Sequence, residues 1–184
     1  MSAIKAGFGS WRGVVRLGLS HIERMSLQAG VQKPGTESIK RIVFVCQGNI
    51  CRSAFAEVLA RQMGLPVASF GLATRTGFPA DPAAVRAAKS LGLDLGGHVT
   101  TARADFVVRP GDLLLAMETR QLRQIALDSG LSPLPRDLLG TWARPPVPHL
   151  HDPYQLSDAY FLTCFRRIGS AVESLAVQFS ALRV

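Results

Sequence analysis

The run Ile42-Val43-Phe44-Val45-Cys46-Gln47-Gly48-Asn49-Ile50-Cys51-Arg52-Ser53 decides the fold expected of this 184-residue chain. Its first four residues are continuously apolar and rich in β-branching, the pattern of a strand covered on both faces. A glycine-bearing turn follows. Phe55, Val58 and Leu59 then share one face of a helix expected over 52–63, closed by Gly64-Leu65-Pro66. Outward from there, the pattern predicts a second strand at 67–70 and a helix over 82–91 with Pro82 in its first turn. It predicts another buried strand at 113–116, a helix over 118–129 and a long closing helix from 158 to about 182. Residues 132–151 hold Pro133, Pro135, Pro145, Pro146 and Pro148, so they read as loop with at most a short strand. Strands alternating with helices predict a three-layer α/β fold, a central parallel sheet flanked by helices. Ligands of such sheets bind beyond the C-terminal strand ends, where the turn after Val45 lies.

That turn has the spacing Cys46, five residues, Arg52, Ser53, and each part suits a phosphate dianion. A loop entering a helix N-terminus aims backbone N–H groups and the positive dipole end at one point. Gly48 permits close approach and Asn49 tolerates a left-handed conformation. Arg52 offers a planar fork matched to two phosphate oxygens. The same field stabilises a thiolate at Cys46, and the Ser53 hydroxyl is placed to donate to that sulfur. A thiolate nucleophile needs an acid for the leaving oxygen. Asp152, in His151-Asp152-Pro153-Tyr154, is the candidate, with Pro153 stiffening the chain after it and Tyr154 offering an aromatic wall.

Composition bounds the rest. The chain carries a net charge of +8, and residues 1–40 hold six basic against two acidic residues. A basic balance favours an anionic partner without choosing among nucleic acid, membrane surface and phosphorylated substrate. Cys46, Cys51 and Cys164 do not form the pattern of a disulfide framework. No apolar run reaches the length of a membrane span, and no secretory signal is legible, so the expected location is the reducing cytoplasm. Residues 1–38 read as a separate extension. Phe8, Trp11, Val15, Ile22 and Met25 recur at near-helical spacing, and Gly30, Pro34 and Gly35 mark a linker. Such a basic amphipathic segment fits a helix resting on the domain, or contact with a membrane surface or partner. The catalytic domain is expected over 39–184.

Residues 40–182 resemble the low-molecular-weight protein tyrosine phosphatases. That family's signature is an early Cys-x-Gly-Asn-x-Cys-Arg-Ser loop and a late Asp-Pro-Tyr, here Cys46–Ser53 and Asp152–Tyr154. Ser69-Phe70-Gly71, Gly77 to Pro82, Gly92 to His98 and Leu114 to Glu118 follow its pattern in order. The chain is most similar to the bacterial branch that works opposite tyrosine kinases of capsule and exopolysaccharide export. The resemblance implies a four-stranded sheet with the phosphate-binding loop between first strand and first helix. It implies that Cys46 attacks phosphorus to give a phosphocysteine, while Arg52 and the loop residues Gln47, Gly48, Asn49, Ile50, Cys51 and Ser53 hold the phosphate. Asp152 then protonates the leaving group and activates water, with Tyr154 beside the substrate. It implies a supporting network of Asn49 with Ser53, Ser69 and His98, and a Cys51 beside Cys46 with which it can form a reversible, protective disulfide.

No metal or cofactor is expected; His149 and His151 read as loop polars. The implied partner is a phosphotyrosine protein, such as an autophosphorylated bacterial tyrosine kinase, and not nucleic acid. Ala54 stands where the family has Pro, Gln155 where many members have a second tyrosine, and residues 72–76 lack the usual aromatic wall, a role left to polar groups or Phe78. Alternatives on the same loop are a protein arginine phosphatase, disfavoured by apolar Ile50, and a thioredoxin-coupled arsenate reductase, which needs two further relaying cysteines. A non-catalytic phosphoprotein-binding module would require neither Cys46 nor Asp152.

Overall fold

The computed structural model describes Gly7, Gly9, Val14, Val15, Gly18, Leu19 and residues 38–183. Four parallel strands, β1 (Arg41–Cys46), β2 (Val67–Gly71), β3 (Asp112–Ala116) and β4 (Arg136–Leu138), lie side by side in the order β2-β1-β3-β4. They are covered by helices α1 (Arg52–Gln62), α2 (Pro82–Lys89), α3 (Thr119–Leu127) and α4 (Asp158–Gln178). This is the expected three-layer arrangement.

Strand periodicity explains why β1 is apolar throughout. Ile42, Phe44 and Cys46 point into one core, shared with Phe55 of α1, Ala84 and Ala87 of α2, and Phe161, Phe165 and Ile168 of α4. Val43 and Val45 point the other way, into a smaller core with Phe70, Leu114, Leu122, Ile125 and Leu138. Phe55 and Phe165 stack with ring centroids 4.1 Å apart, which ties α1 to α4 across the first core. In the register, Cys46 pairs with Gly71 and Val45 with Ala116, so the first three strands end level. The loops leaving this edge form the site.

Several boundaries differ from the sequence expectation. The helix expected from 118 starts at Thr119, because Glu118 is extended (φ −144°) and its side chain turns inward to Arg52. It ends at Leu127, where Asp128 is again extended and binds Arg103. The helix expected to 91 stops at Lys89, and the closing helix stops at Gln178 before a 3-10 turn over Ser180–Leu182. The proline-rich stretch supplies β4 and a 3-10 turn at Leu139–Trp142. Gly140 is needed there, since a Cβ would overlap the Val147 carbonyl. Val147 N donates to Gly140 O, and Leu150 N donates to Met117 O at the end of β3. These bonds carry the chain back to the sheet edge.

In the extension, Val14, Val15, Gly18 and Leu19 are helical, with Val15 and Leu19 exposed. Phe8, Trp11, Ile22 and Met25 lie outside the described residues. Gly9 lies against Leu156 and Tyr160, just beyond the Asp152 loop. Among the described residues, no helix is long and apolar enough to cross a membrane.

Candidate active site

Cys46 closes β1 and Arg52 opens α1, both buried, so residues 47–51 must arch between a strand end and a helix start. Asn49 makes the arch possible: its φ is 55°, the left-handed region that Asn tolerates better than most residues. Its side chain then works on three sides. Nδ2 donates to Ser53 Oγ (2.8 Å) and to Ser69 Oγ (2.7 Å), and Oδ1 accepts from Thr101 N (2.8 Å). His98 Nε2 donates to the Asn49 carbonyl (2.7 Å), which fixes the proton on that ring nitrogen.

These bonds set directions. Ser53 Oγ accepts from Asn49, so its own hydrogen is free to point at Cys46 Sγ, 2.9 Å away. Asn49 N also donates to that sulfur (3.2 Å). Two donors therefore converge on Cys46 Sγ, the arrangement that stabilises negative charge on sulfur. Ser69 Oγ donates in turn to Glu57 Oε2 (2.5 Å), a carboxylate one turn along α1 from Ser53. Behind the arch, Gly71 leaves no space: a Cβ there would lie 3.0 Å from Gln47 O and 3.1 Å from Asn49 Cβ. Leu72 N and Ala73 N donate to Cys46 O and Gln47 O, so the chain leaving β2 braces the arch.

Arg52 is held between carboxylates. Nη1 donates to Glu118 Oε1 (2.5 Å) and Leu150 O (2.9 Å), while Nη2 meets Asp152 Oδ2 (2.5 Å). Nε is buried with no partner among the described residues, which leaves a donor of the fork unengaged. Burial alone would weaken the charge on Arg52, but Asp152 and Glu118 outweigh it and keep the guanidinium protonated. Burial likewise works against ionised Glu118, and Arg52 with Arg120 holds its carboxyl below the usual carboxylate range. Arg120 Nε reaches the second Glu118 oxygen at 2.8 Å.

The acid loop arrives from the other side. Asp152 is partly exposed, and its Oδ1 accepts from Tyr154 N (3.2 Å). Its base rests on α4: the His151 carbonyl faces Tyr160 Oη (3.5 Å) and Cys164 Sγ (3.7 Å). Burial pushes the Cys164 thiol up to about 12, so it is a neutral packing group. Cys51 is buried just before α1, and burial, then Asp81 and Asp152, push its thiol far up. His149 and His151 lie with ring centroids 5.8 Å apart.

The structure thus brings together Cys46, Asn49, Arg52, Ser53, Ser69, His98 and Asp152. Ile50 lies half-buried on the flank where its carbonyl accepts from Asp81 N (2.9 Å), and Tyr154 is exposed beyond Asp152. Phe78, three residues before Asp81, is also exposed on that flank. Sequence reasoning missed Glu118, Glu57 and the Leu150 carbonyl as parts of the site. Glu118 had two signals, its place at the end of the Leu114 to Glu118 stretch that follows the family pattern and its position just past a buried strand at the ligand-binding edge of the sheet. Glu57 and the Leu150 carbonyl had none.

Residues 41–183 match the family described as low molecular weight phosphotyrosine protein phosphatase. The chain is 32% identical over 144 residues to the low molecular weight protein-tyrosine-phosphatase Etp of Escherichia coli K12, covering 76% of this chain and 94% of Etp. The match to EpsP of Ralstonia solanacearum is 42% identical over 89 residues, and the chain spans 61% of that protein's length. Among solved structures, the tyrosine phosphatase Wzb of Escherichia coli K30 in complex with sulphate superimposes with a TM-score of 0.66 at 30% identity, covering 76% of this chain and 98% of Wzb. An arginine phosphatase of Geobacillus stearothermophilus shares the fold, with a TM-score of 0.67 at 21% identity and coverage of 77% and 94%.

Proposed function

Because the chain belongs to the low molecular weight phosphotyrosine protein phosphatase family, we propose that it hydrolyses phosphotyrosine in proteins through a phosphocysteine intermediate on Cys46. The observation that carries this reading is the convergence at one strand end of a sulfur with two donors, a buried Arg52 and the Asp152 carboxylate. Phosphate oxygens compete with Asp152 for Arg52 Nη2. Substrate entry therefore shifts Asp152 from the guanidinium toward the leaving oxygen, and Arg52 keeps its orientation through Glu118 and Leu150 O. Cys46 Sγ attacks phosphorus as the aryl P–O bond breaks; Asp152, which takes up a proton from solvent once phosphate has displaced it from Arg52, gives that proton to the phenolate. In the second step water attacks phosphorus, Asp152 takes the water's proton, and the S–P bond breaks to return the thiolate and release phosphate. The donors from Asn49 N and Ser53 Oγ stabilise sulfur as attacking and as leaving group.

Bacterial relatives and the resemblance to the exopolysaccharide-associated branch support a substrate in polysaccharide export, such as an autophosphorylated tyrosine kinase. A cytoplasmic setting suits a thiol nucleophile. Exposed Val15 and Leu19, in a basic segment, support docking of the extension near that substrate. The test is turnover of an aryl phosphate, a phosphotyrosine peptide and a phosphoarginine peptide by the full chain and by Cys46→Ser. The expected result is hydrolysis of the first two, abolished in Cys46→Ser with phosphate-analogue binding kept. Residual turnover in that variant removes Cys46 as nucleophile, and preference for phosphoarginine removes the tyrosine assignment.

A further inference from the structure

Resting on Asp152 as the acid, we infer that the N-terminal extension is a working part of the site: Gly9 seats on the base of the acid loop and holds it. Gly9 has φ +74°, and a Cβ built on it would lie 2.6 Å from Leu156 Cδ1 and 2.9 Å from Tyr160 Cε1. Only a residue without a side chain brings the backbone this close, in a conformation that glycine adopts at little cost.

The two residues beneath Gly9 are the loop's own anchors. Leu156 N donates to Pro153 O (2.9 Å), and Tyr160 Oη reaches His151 O (3.5 Å) with the Tyr160 ring 6.0 Å from that of His151. Asp152 stands between the two tethered carbonyls. The loop also contains Gln155 at φ 60°, an unfavourable conformation for a side-chain-bearing residue that surrounding structure must hold in place. Tyr154 and Gln155 are exposed, so the support comes from the Leu156–Tyr160 side, the side that Gly9 contacts.

A seat of this kind has a specific kinetic consequence. Asp152 exchanges Arg52 for the leaving oxygen during the reaction, and the tethered base limits how far it strays. Loosening the base leaves the Cys46 loop intact and misplaces the acid. The loss then falls on substrates whose leaving group needs a proton. This differs from a catalytic domain that works unchanged without its extension.

The experiment compares the full chain with Gly9→Val and Gly7→Val. Gly7 is the control, since a Cβ there meets none of the described residues within 4 Å. kcat/KM is measured across aryl phosphates of rising leaving-group pKa, and amide hydrogen exchange is measured at Leu156. Gly9→Val should lose about 3–10-fold on phenyl phosphate and under twofold on 2,4-dinitrophenyl phosphate, a fraction of what a general acid supplies. It should speed exchange at Leu156, and Gly7→Val should change neither. An equal loss across the series, unchanged exchange at Leu156, or the same effects in Gly7→Val each overturn the proposal. If the full chain hydrolyses none of the series, the phosphatase reading has failed. The exchange comparison alone then decides whether Gly9 holds the loop.

Discussion

Asp152 and the phosphate that Arg52 is built to bind make opposite demands on one guanidinium. The carboxylate occupies Nη2 at 2.5 Å, so it neutralises a buried cation and also blocks a donor that phosphate needs. Asp152→Ala separates the two roles. Losing the proton donor should lower kcat/KM by about 10²–10⁴-fold for poor leaving groups, and much less for good ones. Losing the competing negative charge should make an unreactive oxyanion such as inorganic phosphate bind more tightly. Steady-state rates over a leaving-group series and inhibition by phosphate measure both. A uniform rate loss removes Asp152 as the acid, and weaker phosphate inhibition removes the competition. Glu118 differs from Asp152 because it is buried beneath the guanidinium and serves to orient it.

The strand–loop–helix unit was the legible part of this chain. Ile42 to Val45 read as a doubly covered strand because alternate side chains do enter two cores. Asn49 could be assigned a left-handed turn because few other residue types accept one. Strand order was less legible from alternation, which predicts parallel pairing without saying which strands are neighbours. β4, three residues long among prolines, has no periodicity to read. Glu118 and Asp128 escaped as helix ends because each is pulled out of the helix by an arginine far away in sequence. Gly71 was legible only as part of a motif, yet it sets how closely β2 approaches the arch. A Cβ there meets Gln47 O and Asn49 Cβ, backbone and a fixed side chain that cannot give way cheaply. Gly71→Val should therefore displace residues 47–49 and lower kcat/KM at least tenfold, as expected when positioned groups shift by a fraction of an ångström. Far-UV circular dichroism should be unchanged. Normal kinetics in this variant would show that the arch does not depend on β2.

At the scale of the whole molecule, the chain carries a net charge of +8, and Arg52 with Glu118 places an ion pair inside, with side chains 1% and 2% exposed. That pair links stability to pH. Glu118 is held below the usual carboxylate range in the folded chain, so the unfolded chain binds a proton there more readily than the folded one. Its contribution is complete above the ordinary Glu value of about 4.3 and is lost as the pH falls through the lower, folded value. Asp128, lowered by its hydrogen bonds from Arg103, acts in the same direction, but it is more exposed and its share is smaller. Glu118→Gln keeps the shape and removes the charge. Arg52 retains Asp152, so the cost at pH 7 should be near the lower end for a broken buried pair, about 3 kcal/mol. At pH 7 the variant should be less stable by that amount, and the gap to the parent chain should narrow as the pH drops from 5 toward 3, because the parent also loses its charge there. Urea midpoints of both proteins at pH 7, 5, 4 and 3 measure the gap. A difference that stays constant over this range would mean that the cost at position 118 is one of packing, and that the ion pair does not supply the acid limb of the stability curve.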